Sequence, residues 1–300
     1  MPAETLTSAQ NPKVKRLLAL QKDSSLRREC GLFVIEGRRE FEHCLAAGFV
    51  PDSVFICPEL FGESGSEAVS SETVAARGRV NGRGPLAREG QWEGWSVAEV
   101  SEDTASELLR YKVFLVSKEI YDKVAYRGGT EGIIAEMRAK NLTLNDLELK
   151  DNPLIVVLES VEKPGNLGAV LRSADAAGAD ALLVCDPLTD IYNPNVIRAS
   201  IGAVFTVPTV ACRTADAIPW LQRRGIQILT AQLQDSSLYY DCDMRHGTAL
   251  VMGTESTGLS DAWRRAATAH IRIPMLGRLD SLNVSVSASI LLFEAVRQRQ

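Results

Sequence analysis

The chain has 300 residues, of which 45% are hydrophobic, enough for a sizeable core in one large or two modest domains. A formal net charge of −5 excludes a global basic field, so any nucleic-acid contact must rest on local patches. Six scattered cysteines (Cys30, Cys44, Cys57, Cys185, Cys212, Cys242) form no Cys-x-x-Cys pair, and His43, His246 and His270 have no ligand spacing with them. This usage fits reduced thiols rather than disulfides and offers no metal site. The N-terminus lacks an apolar signal core and no apolar stretch is long enough for a bilayer, so a soluble, cytoplasmic protein without membrane contact is expected.

The elements are predicted in chain order as follows. Residues 12–21 form a short basic helix, in a leading segment where Lys13, Lys15, Arg16, Lys22, Arg27, Arg28, Arg38 and Arg39 outnumber Glu4, Asp23, Glu29 and Glu36. That excess is either a solvated helix face or a surface that tracks phosphates. A strand at 32–35 leads through Glu36-Gly37 to a helix at 38–47, which Gly48 stops. A second strand lies at 54–56. Residues 62–96, rich in Gly, Ser, Glu and Arg and closed by Trp92 and Trp95, read as an insertion or flexible loop. A strand at 97–100, a helix at 102–109 and a strand at 132–135 complete a small α/β domain over 1–138. Residues 139–152, polar and ended by Asn152-Pro153, read as a linker.

From residue 153 onward strands and helices alternate. The continuous apolar run at 154–158 suits a parallel strand buried on both faces. A helix at 167–177 follows, then a strand at 181–184, a helix at 194–204, a strand at 207–210, a helix at 214–223 and a strand at 226–229. A strand at 249–252, a short helix after Ser260, a strand at 270–273 and a final helix end the chain. The fold class is α/β with a mainly parallel sheet.

Three strand–turn–helix junctions carry the polar residues that suggest chemistry. In the first, 159–175, Asn166 is placed to cap the helix, Gly168 to admit another backbone, and Arg172 one turn further on to reach whatever meets the capped end. With only Gly165 and Gly168 the G-x-G-x-x-G dinucleotide fingerprint is incomplete, which argues against a nicotinamide enzyme. In the second, 251–260, Glu255 sits in a glycine turn, either solvated or paired with Arg172. The third, 273–285, runs from Pro274 through Gly277 to Ser281 and Asn283, two residues that favour helix N-caps. Each junction leaves the unpaired amides of a first helical turn facing a ligand site.

Taken together and in this order, the junctions closely resemble the SpoU (TrmH-like) branch of the SPOUT methyltransferases. The matching positions are Asn166, Gly168, Arg172 and Ala174, then Gly253, Glu255, Gly258 and Leu259, then Ile273, Pro274, Met275, Gly277, Ser281, Leu282 and Asn283. Residues 192–203 resemble the family's intermediate helix, and 33–37 the start of a ribosomal-protein-like RNA-binding domain. Lys163, often acidic in the family, and the insertion at 62–96 depart from the pattern.

The resemblance implies a deep C-terminal trefoil knot in a domain over 153–300 and transfer of a methyl group from S-adenosylmethionine to a ribose 2′-hydroxyl of RNA. The RNA is expected to be ribosomal, with transfer RNA as the alternative, and a homodimer through the knot region is expected. It also implies that Asn166, Arg172, Glu255, Ser281 and Asn283 serve catalysis, and that Ala231, Gly253, Ile273 and Leu282 line the cofactor site. A non-catalytic RNA-binding relative is the competing reading.

Overall fold

A computed structural model describes residues 4–61, 111–126, 131–254 and 258–300. The insertion at 62–96, the strand at 97–100, the helix at 102–109 and Glu255 lie outside the described residues. The chain divides into two compact units, one of Met1–Lys22, Val34–Phe41 and Val50–Arg138, the other of Asp23–Phe33, Glu42–Phe49 and Ala139–Gln300.

The first unit is built on a five-stranded sheet of β1 (Glu4–Leu6), β2 (Leu32–Glu36), β3 (Pro51–Ile56), β4 (Lys112–Val116) and β5 (Ile133–Arg138), in the order β1-β4-β3-β5-β2. β1 and β3 run parallel to β4, and β5 runs antiparallel to β3. Helix α1 (Pro12–Lys22) starts on a proline, which needs no amide partner there, and buries Val14, Leu17 and Leu20 along one stripe. A helix absent from the sequence reading, α2 (Ser24–Cys30), belongs to the second unit and is capped by Asp23, whose carboxylate accepts from the amides of Ser25 and Leu26.

Much of the basic N-terminal run is neutralised within the fold. Arg27 is buried and pairs with Asp190 at 2.6 Å, Lys13 pairs with Glu4, and Arg16 pairs with Glu136 and Asp52. Lys15, Lys22, Arg28 and Arg39 remain exposed.

The second unit holds a seven-stranded sheet of β6 (Leu154–Glu159), β7 (Ala181–Cys185), β8 (Thr209–Cys212), β9 (Gln227–Ala231), β10 (Ser237–Leu238), β11 (Thr248–Met252) and β12 (Ala269–Arg272). Their order is β10-β12-β9-β11-β6-β7-β8, and every pair is parallel. β6 and β11 are buried along their whole length, as continuous apolar runs require. Trp220 and Trp263 are the largest fully buried side chains of this core. Leu147 is buried in the same core and Leu142, Leu144 and Leu149 pack on it, so the polar stretch 139–152 lies against the sheet.

The helix predicted at 194–204 is two pieces, α7 (Pro194–Ser200) and α8 (Ala203–Thr206). The break is a left-handed pair, Ile201 at φ 52° and Gly202 at φ 87°. A Cβ on Gly202 would lie 2.6 Å from the His43 ring, so a side chain there is excluded. From β6 the chain steps outward to β7 and β8, then crosses back to β9, β11 and β12 on the other side. The order reverses beside β6, and open α/β sheets bind ligands at the carboxyl ends of strands flanking such a reversal.

Candidate active site

Three connections meet at that reversal. The first leaves β6 through Ser160, which is held in the left-handed region (φ 53°) and donates its amide to the carbonyl of Cys185 at 2.8 Å. It enters α6 (Pro164–Ala176), where Lys163 holds the cap position and Asn166 is the third helical residue. The capping role expected for Asn166 is therefore corrected, because Pro164 can only occupy the first turn and starts the helix three residues earlier. Gly168 does what the sequence suggests: a Cβ on it would lie 2.5 Å from Ala199 Cβ and 2.8 Å from the Val196 carbonyl oxygen, so α7 packs directly on the α6 backbone.

The second connection leaves β11 through Gly253. A Cβ there would fall 2.2 Å from the carbonyl carbon and oxygen of Gly258, and the two sides of the turn bridge at Thr254 and Gly258. Ser260 begins α10 (Asp261–Ala266) and donates its amide to Glu159 Oε2 at 2.8 Å. Buried Glu159 also accepts from Thr214 Oγ1, which in turn accepts from the Trp263 indole N–H at 3.2 Å. One carboxylate at the end of β6 thus fixes the start of the second junction.

The third connection leaves β12, passes Ile273 to Leu282, and enters the final helix α11 (Val284–Arg299). Asn283 is its cap, accepting from the Ser285 amide at 2.9 Å. Of the two cap candidates Asn283 fills the role, while Ser281 stays in the loop with its hydroxyl donating to Asp280. Asn283 Nδ2 donates to Asn166 Oδ1 at 3.2 Å, which ties the third junction to the first. Next to Arg172, Ser173 Oγ lies 2.7 Å from Ser289 Oγ and so joins α6 to α11.

A cavity of about 420 Å³ opens between the second and third connections. Ala231, Gly253, Ile273 and Leu282, the four expected cofactor positions, all line it, and so does Ser281. A smaller cleft of about 120 Å³ reaches Glu159, Lys163 and Asn166 and shares Gly253, Thr254 and Val284 with the larger one. Arg172 borders neither: it is exposed on α6 and makes no side-chain hydrogen bond or ion pair among the described residues. An Arg172–Glu255 pair lies outside the described residues.

The sequence reading missed three residues here. Glu159 is signalled only by being the single acid at the end of an apolar strand. Gln232 and Arg264 line the larger cavity, and each has one buried polar atom, Oε1 and Nε respectively, with no partner among the described residues. Orphaned polar atoms are rare in native interiors, and both residues border the same cavity.

The profile of the SpoU rRNA methylase family matches residues 153–293, and that of an MRM3-like substrate binding domain matches 11–81. A 23S rRNA (guanosine-2′-O-)-methyltransferase, RlmB of Ralstonia nicotianae, is 39% identical over 174 residues, covering 56% of this chain and 70% of that protein. This chain belongs to the SpoU rRNA methylase family. Likeness to solved structures extends over nearly the whole chain. A crystal structure of an RNA 2′-O ribose methyltransferase is 33% identical with a TM-score of 0.72, covering 98% of this chain and 99% of that one. An AdoMet-bound rRNA methyltransferase from Sinorhizobium meliloti is 27% identical with a TM-score of 0.79, covering 98% of each chain. The parallel sheet of the second unit is the SPOUT methyltransferase fold.

Proposed function

We propose that this SpoU protein is an S-adenosylmethionine-dependent methyltransferase that modifies a ribose 2′-hydroxyl of ribosomal RNA. The observation that carries this reading is the single cavity lined by Ala231, Gly253, Ile273, Ser281 and Leu282 at the carboxyl ends of β9, β11 and β12. S-adenosylmethionine fits it on two grounds. The side-chain-free Gly253 leaves main chain exposed beside apolar Ile273 and Leu282, a surface suited to adenine. Gln232 and Arg264, which also line it, bring a side-chain amide and a guanidinium to meet polar groups.

When bound, S-adenosylmethionine supplies a methyl group on a sulfonium, already activated for in-line transfer. The protein's task is then placement of the ribose and management of charge. Arg172 would anchor a phosphate beside the acceptor and stabilise the oxyanion as the hydroxyl proton departs. A guanidinium carries only donors and no accepting lone pair, which suits that role rather than proton abstraction. Asn166 and Asn283, hydrogen-bonded to each other, would orient the sugar between Arg172 and the cavity, with Ser281 and Glu255 ordering the loops on either side.

Ribosomal rather than transfer RNA is favoured by the SpoU rRNA methylase profile over 153–293 and by the 23S rRNA substrate in the name of the Ralstonia relative. Exposed Lys15, Lys22, Arg28 and Arg39 supply local positive charge for an RNA backbone. A homodimer through the knot region belongs to the same reading: Leu276 is 98% and Leu279 79% exposed, and Val286 and Phe293, seven residues apart on one face of α11, are about half exposed. A C-terminal trefoil knot and a cytoplasmic location complete it. No helix among the described residues is long and apolar enough to cross a membrane. Incubating the protein with labelled S-adenosylmethionine and total RNA, then mapping 2′-O-methyl positions, tests the assignment; label confined to transfer RNA would move the substrate to the alternative.

A further inference from the structure

We infer that Arg264 is the residue that receives the α-carboxylate of S-adenosylmethionine, an inference that rests on the cofactor reading of the larger cavity. Among the described residues, three charged side chains line that cavity: Arg264, Arg272 and Asp280. Arg272 is engaged, its Nη1 donating to Ser236 Oγ at 3.4 Å, and Asp280 accepts from Ser281 Oγ at 3.3 Å. Arg264 differs. It projects from the second turn-and-helix junction and lines the cavity, and its side chain has no hydrogen-bond or ion-pair partner among the described residues.

A partly buried guanidinium with no counter-charge is costly unless an anion arrives to neutralise it. The proposed cofactor carries one such group, its carboxylate, and the planar fork of a guanidinium matches a carboxylate's two oxygens. Asp280, on the facing loop, disfavours a second anion in the cavity. The place of Arg264 in the fold also suits the role. Its helix follows directly on the Thr254–Gly258 turn, and Glu159 fixes that helix's start through the Ser260 amide, so the guanidinium hangs from a rigid base.

Isothermal titration with two probes tests this. S-adenosylmethionine carries the carboxylate; 5′-deoxy-5′-methylthioadenosine keeps the adenosine and the sulfur but lacks the amino-acid arm. Arg264→Gln is expected to weaken S-adenosylmethionine about 10- to 100-fold, the range for one lost charge-assisted hydrogen bond or pair of them, and to leave 5′-deoxy-5′-methylthioadenosine within about twofold. Arg264→Lys, which keeps the charge and loses the fork, is expected to fall between. Retained binding of the second probe also shows that the variant is folded. Equal weakening of both probes, or of neither, overturns the assignment of Arg264. Absence of binding of either probe to the unaltered protein overturns the cofactor reading itself.

Discussion

Asn283 Nδ2 donates to Asn166 Oδ1 across 3.2 Å, linking two residues 117 positions apart in the chain. Asn283 also caps α11 with its other side-chain atom, so one residue orders the final helix and joins it to the first junction. These roles are separable. Asn283→Ser keeps a capping oxygen but is too short to reach Asn166, whereas Asn283→Ala loses both functions. Asn283→Ala is expected to lower stability by about 1 kcal/mol and Asn283→Ser by much less. Both are expected to reduce methyl transfer by a similar factor. Thermal melts beside turnover assays check this, and full activity in Asn283→Ser would remove the asparagine pair from the catalytic account.

Arg172 stands exposed and outside both clefts, so the charge-handling role proposed for it is separable from the proposed cofactor site. Arg172→Ala is expected to slow methyl transfer by about 100-fold or more, as for other lost electrostatic groups at a developing oxyanion. Its affinity for S-adenosylmethionine is expected to stay within about twofold of the unaltered protein. Titration and single-turnover rates measure the two effects independently.

Gly253 has no room for a side chain, since a Cβ would overlap the Gly258 carbonyl at 2.2 Å. Gly253→Ala must push the two sides of the turn apart. The expected cost is about 1–3 kcal/mol in stability, with a loss of cofactor affinity because the displaced turn forms the cavity wall. A denaturant titration and a binding isotherm on the same variant check both.

Tyr192 makes the second unit sensitive to alkali. It stacks on Phe33 with centroids 4.4 Å apart, and its hydroxyl donates to the Lys140 carbonyl at 2.9 Å. Burial disfavours the phenolate and pushes its pKa up to about 12 against an unfolded value near 10. The raised value means that the unfolded chain loses this proton first as pH rises. The contribution to stability is complete below pH 10 and is lost between about pH 10 and 12, by about 2–3 kcal/mol. Tyr192→Phe removes this part of the pH dependence, which unfolding curves at pH 9 and above would reveal as a flatter slope.

The periodic parts of the fold were readable because their signals are local. The apolar run at 154–158 and the helix ended by Gly48 follow from burial on two faces and from a left-handed stop, and β6 and α3 (Arg38–Ala46) occupy those places. β1 and β10 span three and two residues, too short to show a period. The start of α6 was misplaced because Asn166 looked like a cap, whereas Pro164 fixed the first turn. Ala231, Gly253, Ile273 and Leu282 are expected at a cofactor site from family resemblance alone, and all four line one cavity. Glu159, Gln232 and Arg264 were not found, because their importance arises from partners, or missing partners, contributed by distant strands.

The most direct test of the account is the chemical position of the transferred methyl group. Protein, labelled S-adenosylmethionine and ribosomal RNA are incubated, and the product is hydrolysed in alkali, which cannot cut the phosphodiester next to a 2′-O-methyl ribose. The account predicts label in an alkali-resistant dinucleotide at a defined site, and its loss with Arg172→Ala. Label recovered in mononucleotides methylated on the base, or no label in any RNA despite measurable cofactor binding, would contradict it.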